Sequence, residues 1–436
     1  MRIAIATLGC KINQYDSAVI RTRLESAAHS FVPFEEQADF YIINTCTVTD
    51  RADWEGRQLI RRAKRSSPGA RVLVTGCYAQ VDPDGLARVP GVDFVVGLNR
   101  LDELALYVSR NEVGSGGERI RVGNVREERN VSVLGAGSFP GHTRAFLKIQ
   151  EGCNYSCTFC IIPTARGRSR SVPPAEVLNQ VRALAARGFV EVVLTGIHLG
   201  SYGFDLKPRT DLAALLEWIL ESRLVSRLRL SSLDPREVPD RLVRLVAQSE
   251  GLCPHLHVCA QAGADRILKQ MRRNYDTAYY RELVFRLRET LPDAALGSDI
   301  IVGFPGETEA DFERALAFFD SLPLTYFHVF PYSVRTGTPA AVLSDQVSQG
   351  VKKERGRRMR ELGAQKRREF YRRFIGRRVA VLVEQAVERQ SGARKGHSRN
   401  YLPVLLHTGE ARVNREVEVL IEGMKGDWLQ GSIVSG

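Results

Sequence analysis

The sequence predicts an α/β protein in three parts: an open parallel sheet, a partial (β/α)6 barrel and a small antiparallel β-barrel. Short apolar strands alternate with helical patterns over 1–110 and again over about 143–345, which is the rhythm of parallel βαβ units. From 379 the pattern changes to period two, as in VAVLVEQ, YLPVLL, REVEVLI and WLQGSIV, with glycine-containing turns.

In residues 1–110, Arg2–Thr7, Asp39–Asn44, Arg71–Thr75 and Asp93–Val96 read as strands. Helical patterns at 16–28 and 51–65 lie between them, so the strands are expected to be parallel. Residues 111–142 are rich in glycine and charge and lack helical periodicity. They read as an inter-domain connection with one or two short strands.

Residues 143–350 carry six candidate strands: Ala145–Gln150, Glu191–Thr195, Arg227–Ser231, His255–Cys259, Ala294–Val302 and Tyr326–Pro331. Helical patterns at 174–187, 210–222, 236–248, 276–290 and 308–321 separate them. Six such units are two short of a closed eight-fold barrel. A long helix is expected over 346–375. Counted over 351–378, this basic stretch holds 13 Lys/Arg against 3 Asp/Glu, most of the chain's net charge of +12. The barrel segment 379–436 is balanced, with 7 basic and 7 acidic residues.

Composition narrows the function classes. The 436 residues are 44% hydrophobic and 26% charged, which suits a globular chain rather than a disordered or fibrous one. A pI near 9.4 favours polyanionic partners such as nucleic acid. No apolar run is long enough for a membrane span, and the start MRIAIATLGCKINQ lacks a signal-peptide pattern. A cytoplasmic protein without a membrane partner is expected. Eight cysteines in such a chain point to metal or redox chemistry rather than structural disulfides.

Six of the eight fall into two sets. Cys10, Cys46 and Cys77 each follow a predicted parallel strand, in RIAIATLGC, DFYIINTC and ARVLVTGC. Ligands of open α/β sheets bind beyond the carboxyl ends of the strands, so the three thiols can converge on one metal centre. Taken singly, each also reads as a small buried residue. Cys153, Cys157 and Cys160 lie in QEGCNYSCTFC, directly after the first strand of the second part. Zinc sites usually take four ligands, whereas three cysteines suit an iron–sulfur cluster with one open iron. Cys253 and Cys259 have no partner spacing and read as structural.

The CxxxCxΦC spacing, with Phe159 as the apolar residue, resembles the signature of radical S-adenosylmethionine (AdoMet) enzymes. The resemblance implies that the open iron chelates AdoMet and that the reduced cluster cleaves it to a 5′-deoxyadenosyl radical. The order of the three parts is similar to that of the methylthiotransferase family over nearly the whole chain, its last barrel resembling the RNA-binding TRAM domain. That family attaches a methylthio group to an unactivated C–H position. The stretches Cys10-Lys11-Ile12-Asn13-Gln14-Tyr15 and IIPTARGRSRS resemble the branch acting on N6-threonylcarbamoyladenosine at tRNA position 37. The resemblance implies two [4Fe-4S] clusters, on Cys10, Cys46 and Cys77 and on Cys153, Cys157 and Cys160. It also implies AdoMet contacts at Phe159, Gly196 and Gln261, a tRNA anticodon loop as substrate, an electron donor and a sulfur source. No side-chain acid or base stands out. Isopentenyladenosine-37 or a ribosomal protein side chain is the alternative substrate. A non-catalytic iron–sulfur or zinc RNA-binding protein is the alternative class.

Other motifs admit two readings each. In SDIIVGFPGET, Glu307 resembles a cofactor-side position, while Thr308 reads as a helix cap. His198 reads as a hydrogen-bonding loop residue. Ala262 stands where the family usually has serine. Arg166, Arg168 and Arg170 suit phosphates, a substrate carboxylate or solvent equally well. The basic helix suits either RNA phosphates or a solvated face. Tyr371, Phe374, Tyr401 and Trp428 suit base stacking or, more simply, core packing.

Overall fold

A computed structural model describes residues 1–27, 29–109, 118–131, 135–137, 139–406 and 412–435. The first sheet has six parallel strands: β1 (Arg2–Thr7), β2 (Ser30–Phe31), β3 (Phe40–Thr45), β4 (Arg71–Gly76), β5 (Phe94–Val96) and β6 (Ile120–Arg121). Their order is β2-β1-β3-β4-β5-β6. The central strands are buried on both faces, as a parallel sheet covered by helices requires. The helix Lys11–Ser26 covers one face and Asp50–Ser66 the other, the latter capped by Thr49, whose side chain accepts from Ala52 N.

Part of the expected connection, at 110–117, 132–134 and 138, lies outside the described residues. The rest is packed. β6 extends the first sheet, Gln80 donates to Gly123 O, and Phe139 enters the central core.

The central part has β7 (Arg144–Glu151), β8 (Arg170–Ser171), β9 (Glu191–Gly196), β10 (Arg227–Leu230), β11 (Ser232–Leu233), β12 (His255–Val258), β13 (Ala295–Val302) and β14 (Tyr326–Pro331). Two four-stranded sheets form, ordered β10-β9-β7-β8 and β11-β12-β13-β14. A parallel bridge between Leu228 and Leu252 links them into a partial barrel. Leu147, Val192, Leu194, Leu228, Leu256 and Val258 join the core under the outer helices. Strand alternation turns Lys148, Glu191, Arg229, His257 and Asp299 to the other face, so the barrel lumen is polar. At Gly297 a side chain would run into the ring of Tyr326, which lies across the lumen at that level.

The helix Gln349–Arg372 leads to the last five strands: β15 (Arg378–Val387), β16 (Arg394–Ser398), β17 (Pro403–Leu406), β18 (Glu416–Lys425) and β19 (Trp428–Ser435). They close in the order β15-β16-β17-β19-β18. Four pairings are antiparallel and β17–β19 is parallel. The period-two pattern implied antiparallel pairing throughout, but a ring of five strands cannot alternate direction all the way round. Tyr371 and Phe374 are buried in the core this barrel shares with the long helix.

This barrel is bolted to the amino ends of the central strands. Glu191 is fully buried between Arg227 (2.7 Å) and Arg229 (2.6 Å). Arg227 also pairs with Glu416 (2.8 Å), and the two arginines donate to the carbonyls of His397, Ser398 and Arg399. Burial opposes ionisation of Glu191, but the two guanidinium groups overcome it and hold its carboxyl well below the usual range. Glu191→Ala is therefore expected to cost about 3–5 kcal/mol, because it leaves buried guanidinium charge uncompensated. The carboxylate's contribution is full above its unfolded pKa and is lost as pH falls through the acid range. Urea unfolding at neutral and acid pH checks both; an equal gap between parent and variant at the two pH values would contradict the assignment.

Candidate active site

β1, β3 and β4 are neighbours in the first sheet, so their carboxyl ends lie side by side. Cys46 and Cys77 directly follow β3 and β4, and Cys10 follows β1 after a turn at Gly9. Gly9 has φ +95°, and a Cβ there would stand 2.7 Å from Cys46 Cβ and 2.9 Å from Cys46 Sγ. Glycine is thus what lets the two cysteine-bearing loops meet. Burial, helped by the nearby sulfurs of Cys77 and Cys10, raises the Cys46 thiol to about 12. Asn13 ties the loops together by donating to Leu8 O (2.7 Å) and Thr45 O (3.0 Å).

The second triad lies just beyond β7. The loop is closed by Cys153 N donating to Gly167 O (3.1 Å) and Cys160 N donating to Cys157 O (3.1 Å). Tyr155 N lies 3.3 Å from Cys153 Sγ, and Arg273 Nη1 donates to Cys157 Sγ at 3.1 Å. Burial, together with Cys157 and Cys153, pushes the Cys160 thiol up to about 12. Arg273 also pairs with the buried Asp234.

The three other expected contact residues sit at this same edge. Phe159 is in the cysteine loop and packs against the apolar cluster that includes Ala262. Gly196 ends β9, where a Cβ would meet Gln150 Oε1 at 2.9 Å. Gln261 follows β12 with φ +64° and bridges β13, donating to Asp299 O (2.9 Å) and accepting from Ile301 N (2.8 Å). His198 is held at ion-pair distance from Glu237 (2.7 Å) and lies against Tyr155. Ser231 Oγ and Glu237 Oε2 are buried without a hydrogen-bond partner, while His198 is held by hydrogen bonds to both Glu237 and Cys153. Glu307 instead serves the fold: it accepts from Gly303 N (2.7 Å) and pairs with Arg355 of the long helix (2.8 Å). Thr308 caps the helix Glu309–Ser321 in a capping box with Asp311.

The two cysteine sites face each other across buried charge. Lys148 bridges Asp16 (2.8 Å) and Glu151 (2.6 Å). Arg166 pairs with Glu151 (2.7 Å) and Asp16 (3.0 Å), and its Nε donates to Cys77 Sγ at 3.3 Å. Arg335 donates to Thr47 O (3.0 Å), next to Cys46, and pairs with Asp53 (2.6 Å). Arg170 is also buried, donating to the carbonyls of Val125, Glu128 and Arg166. Neither Arg166 nor Arg170 is therefore a phosphate ligand or a solvated loop charge. Only Arg168 of the three is exposed. Sequence reasoning missed Asp16, Lys148, Glu151 and Arg273; Asp16 meets Lys148 and Arg166, and Arg273 meets Cys157, across more than a hundred residues.

Deeper in the lumen, Asp299 Oδ1 accepts from His257 Nε2 (2.9 Å) and lies 3.2 Å from His328 Nδ1, while Cys259 Sγ donates to Oδ2 (3.3 Å). Tyr326 OH joins His255 and His257. Tyr401 of the last barrel packs tilted against His255 with ring centroids 4.6 Å apart.

Comparison with known proteins follows this geometry. Residues 2–97 match the family model described as Uncharacterized protein family UPF0004, and residues 147–319 match the Radical SAM superfamily. A threonylcarbamoyladenosine tRNA methylthiotransferase of Bacillus subtilis is 39% identical over 96% of this chain and 93% of its own length. Its counterpart in Aquifex aeolicus is 41% identical over 88% and 93%. The chain belongs to the tRNA methylthiotransferase family. Another member, a tRNA-2-methylthio-N(6)-dimethylallyladenosine synthase of Carboxydothermus hydrogenoformans, is 36% identical over 99% of the chain and 98% of its own length. Among solved structures, the radical S-adenosylmethionine methyltransferase TsrM from Kitasatospora setae aligns with a TM-score of 0.57 at 18% identity, covering 78% of this chain and 77% of that one. That likeness shows the fold: a radical SAM partial barrel behind an α/β sheet.

The methylthiotransferase site fits two iron–sulfur clusters and AdoMet by its donor set. Two triads of thiols converge at facing sheet edges, and unpartnered buried polar atoms lie beside the second triad. The close passage at Gly9 yields a stability prediction. Gly9→Ala places a side chain at φ +95° against Cys46 and should cost about 1–3 kcal/mol. An unchanged urea midpoint would contradict that packing.

Proposed function

We propose that this enzyme methylthiolates C2 of N6-threonylcarbamoyladenosine at position 37 of tRNA. The observation that carries the reading is the pair of cysteine triads at facing carboxyl ends, one on each sheet. Cys153, Cys157 and Cys160 would hold the cluster that binds AdoMet, and Cys10, Cys46 and Cys77 the cluster that carries sulfur. Bound together, AdoMet and the clusters supply a radical able to remove hydrogen from an unactivated C–H bond, together with the sulfur and methyl groups.

The chain's own residues hold and orient. The loop closed between Cys153 and Gly167 sets the positions of three thiols. Gln150, fixed by His198 N (2.7 Å) and by Glu151 O and Gly152 O, stiffens the edge on which AdoMet would rest. Phe159, Gly196 and Gln261 line that edge. The first sheet is tied to the central part at the carboxyl ends through Arg166 and Arg335. The threonylcarbamoyl substrate is supported by the named activity of the Bacillus and Aquifex relatives and by the Cys10-Lys11-Ile12-Asn13 stretch. Isopentenyladenosine-37 is the second reading, supported by relatives of 34–36% identity with that activity.

The β-barrel 379–436 and the helix before it are assigned to RNA binding in the cytoplasm. No helix among the described residues is long and apolar enough to cross a membrane. Much of the helix's charge is already spent within the protein: Arg355 pairs with Glu307 and Glu309, Arg358 with Glu313, and Arg373 and Arg377 with Asp293. Lys353, Arg360, Arg368 and Arg372 carry no ion pair among the described residues. With about four phosphate contacts, RNA affinity should fall about a hundredfold between 50 and 200 mM salt, measured by filter binding or fluorescence anisotropy. A flat dependence would leave the helix as a solvated face.

The reaction is tested by nucleoside mass spectrometry of tRNA from a host that makes threonylcarbamoyladenosine but lacks its methylthio enzyme. Appearance of the 2-methylthio derivative is the expected result. New methylthio on isopentenyladenosine instead would move the substrate. The reconstituted protein should carry about eight irons. Cys157→Ala should abolish reductive AdoMet cleavage and keep about half the iron. Cleavage surviving that change would overturn the assignment of the AdoMet-binding triad, and no cleavage by the fully loaded parent would favour a non-catalytic RNA-binding protein.

A further inference from the structure

Arg166 belongs to the loop of one cysteine site and touches a sulfur of the other. The helix Ile162–Arg166 begins two residues after Cys160 and ends on Arg166. The next residue, Gly167, closes the loop by accepting from Cys153 N. The guanidinium then crosses to the first sheet and donates from Nε to Cys77 Sγ (3.3 Å). Three of its four remaining N–H donors are taken. Nη1 serves Glu151 Oε1 (2.7 Å), and Nη2 serves Asn13 Oδ1 (2.6 Å) and Asp16 Oδ2 (3.0 Å).

Arg166 and Asp16 side chains are each 1% exposed. Two carboxylates and Asn13 thus fix the guanidinium from sides that do not involve sulfur. The direction of Nε toward Cys77 is imposed by this cage rather than by the sulfur it meets. An N–H donor and a positive charge that are buried, preorganised and aimed at a ligand sulfur stabilise the more negative, reduced state of an iron–sulfur centre. A solvated arginine could not do so to the same degree.

We propose that Arg166 is a positioning residue common to both cysteine sites: it fixes the Cys77 sulfur relative to the Cys153–Cys160 loop and holds the N-terminal cluster at a more positive reduction potential. This rests on the reading that Cys10, Cys46 and Cys77 bind a cluster. Asn13, Asp16 and Glu151 act through it by holding its orientation.

The test uses full-length protein in which Cys153, Cys157 and Cys160 are all replaced by alanine, so that only the N-terminal cluster forms. Iron content and the electron paramagnetic resonance signal of the reduced protein first establish loading with Arg166 intact. Absence of a cluster at this stage overturns the ligand reading and the proposal with it. Arg166→Gln and Arg166→Lys are then titrated electrochemically, with the loaded fraction read from the spectrum. The expected result is a shift of the midpoint to more negative potential in the glutamine variant and a smaller shift in the lysine variant, which keeps the charge. A purely structural arginine would lower loading or thermal stability without moving the potential of the clusters that do form. Unchanged potentials in loaded variants overturn the proposal. So does loss of the cluster from the lysine variant in a chain that keeps its circular dichroism spectrum, because the arginine would then support the site without tuning it.

Discussion

Four charged side chains buried between two sheets decide how the protein's chemistry is arranged. Asp16, Lys148, Glu151 and Arg166 form a neutral set with little access to water. Such a set is a weak source of stability, because desolvation offsets most of the attraction. Its value is geometric. Each charge must meet its partners at hydrogen-bond distance or remain uncompensated, so the carboxyl edges of the first and central sheets have one low-energy relation. The cysteines sit on those edges. A looser, apolar contact would allow the sheets to slide and the two sites to separate.

The fold was legible wherever apolar runs mark strands. The expected bounds of Arg2–Thr7 and Tyr326–Pro331 coincide with β1 and β14, and the other principal strands shift by a residue or so. The placement of the cysteines was legible for the same reason: the apolar runs locate the ends of the parallel strands that the cysteines follow. Missed features share a physical cause. The helix expected over 16–28 starts at Lys11, because Asn13 and Asp16 are buried for their polar contacts and break the apolar pattern. Arg166 sits 150 residues from Asp16 and 89 from Cys77, and no local pattern announces a partner at that distance. The two-residue strand β2 is held by its neighbour rather than by its own sequence.

Charge was the least legible property. A run of 13 basic residues over 351–378 looks like a surface for polyanions. In the folded chain, carboxylates from the central part, including Glu307, Glu309, Glu313 and Asp293, take up many of them. The helix is therefore first an internal strut that fixes the last barrel to the partial barrel. Net charge reports what an unfolded chain offers, whereas an RNA meets only the cations that folding leaves unpaired.

The two ends of the central strands have separate duties. The cysteine loops and Gln261 lie beyond the carboxyl ends, under the first sheet. The last barrel grips the amino ends, through Arg227 and Arg229 on one side and through Tyr401 packed against His255 on the other. β13, with eight residues, sets the distance between these ends at about 26 Å. An RNA held by the last barrel and the long helix must span that length before one base can reach the facing thiols. The lumen between offers polar groups on the way, with His257, His328 and Cys259 gathered on the Asp299 carboxylate. On the proposed assignment of RNA binding to the last barrel, binding and chemistry are separated along the strands, and β12, β13 and β14 relate the two places.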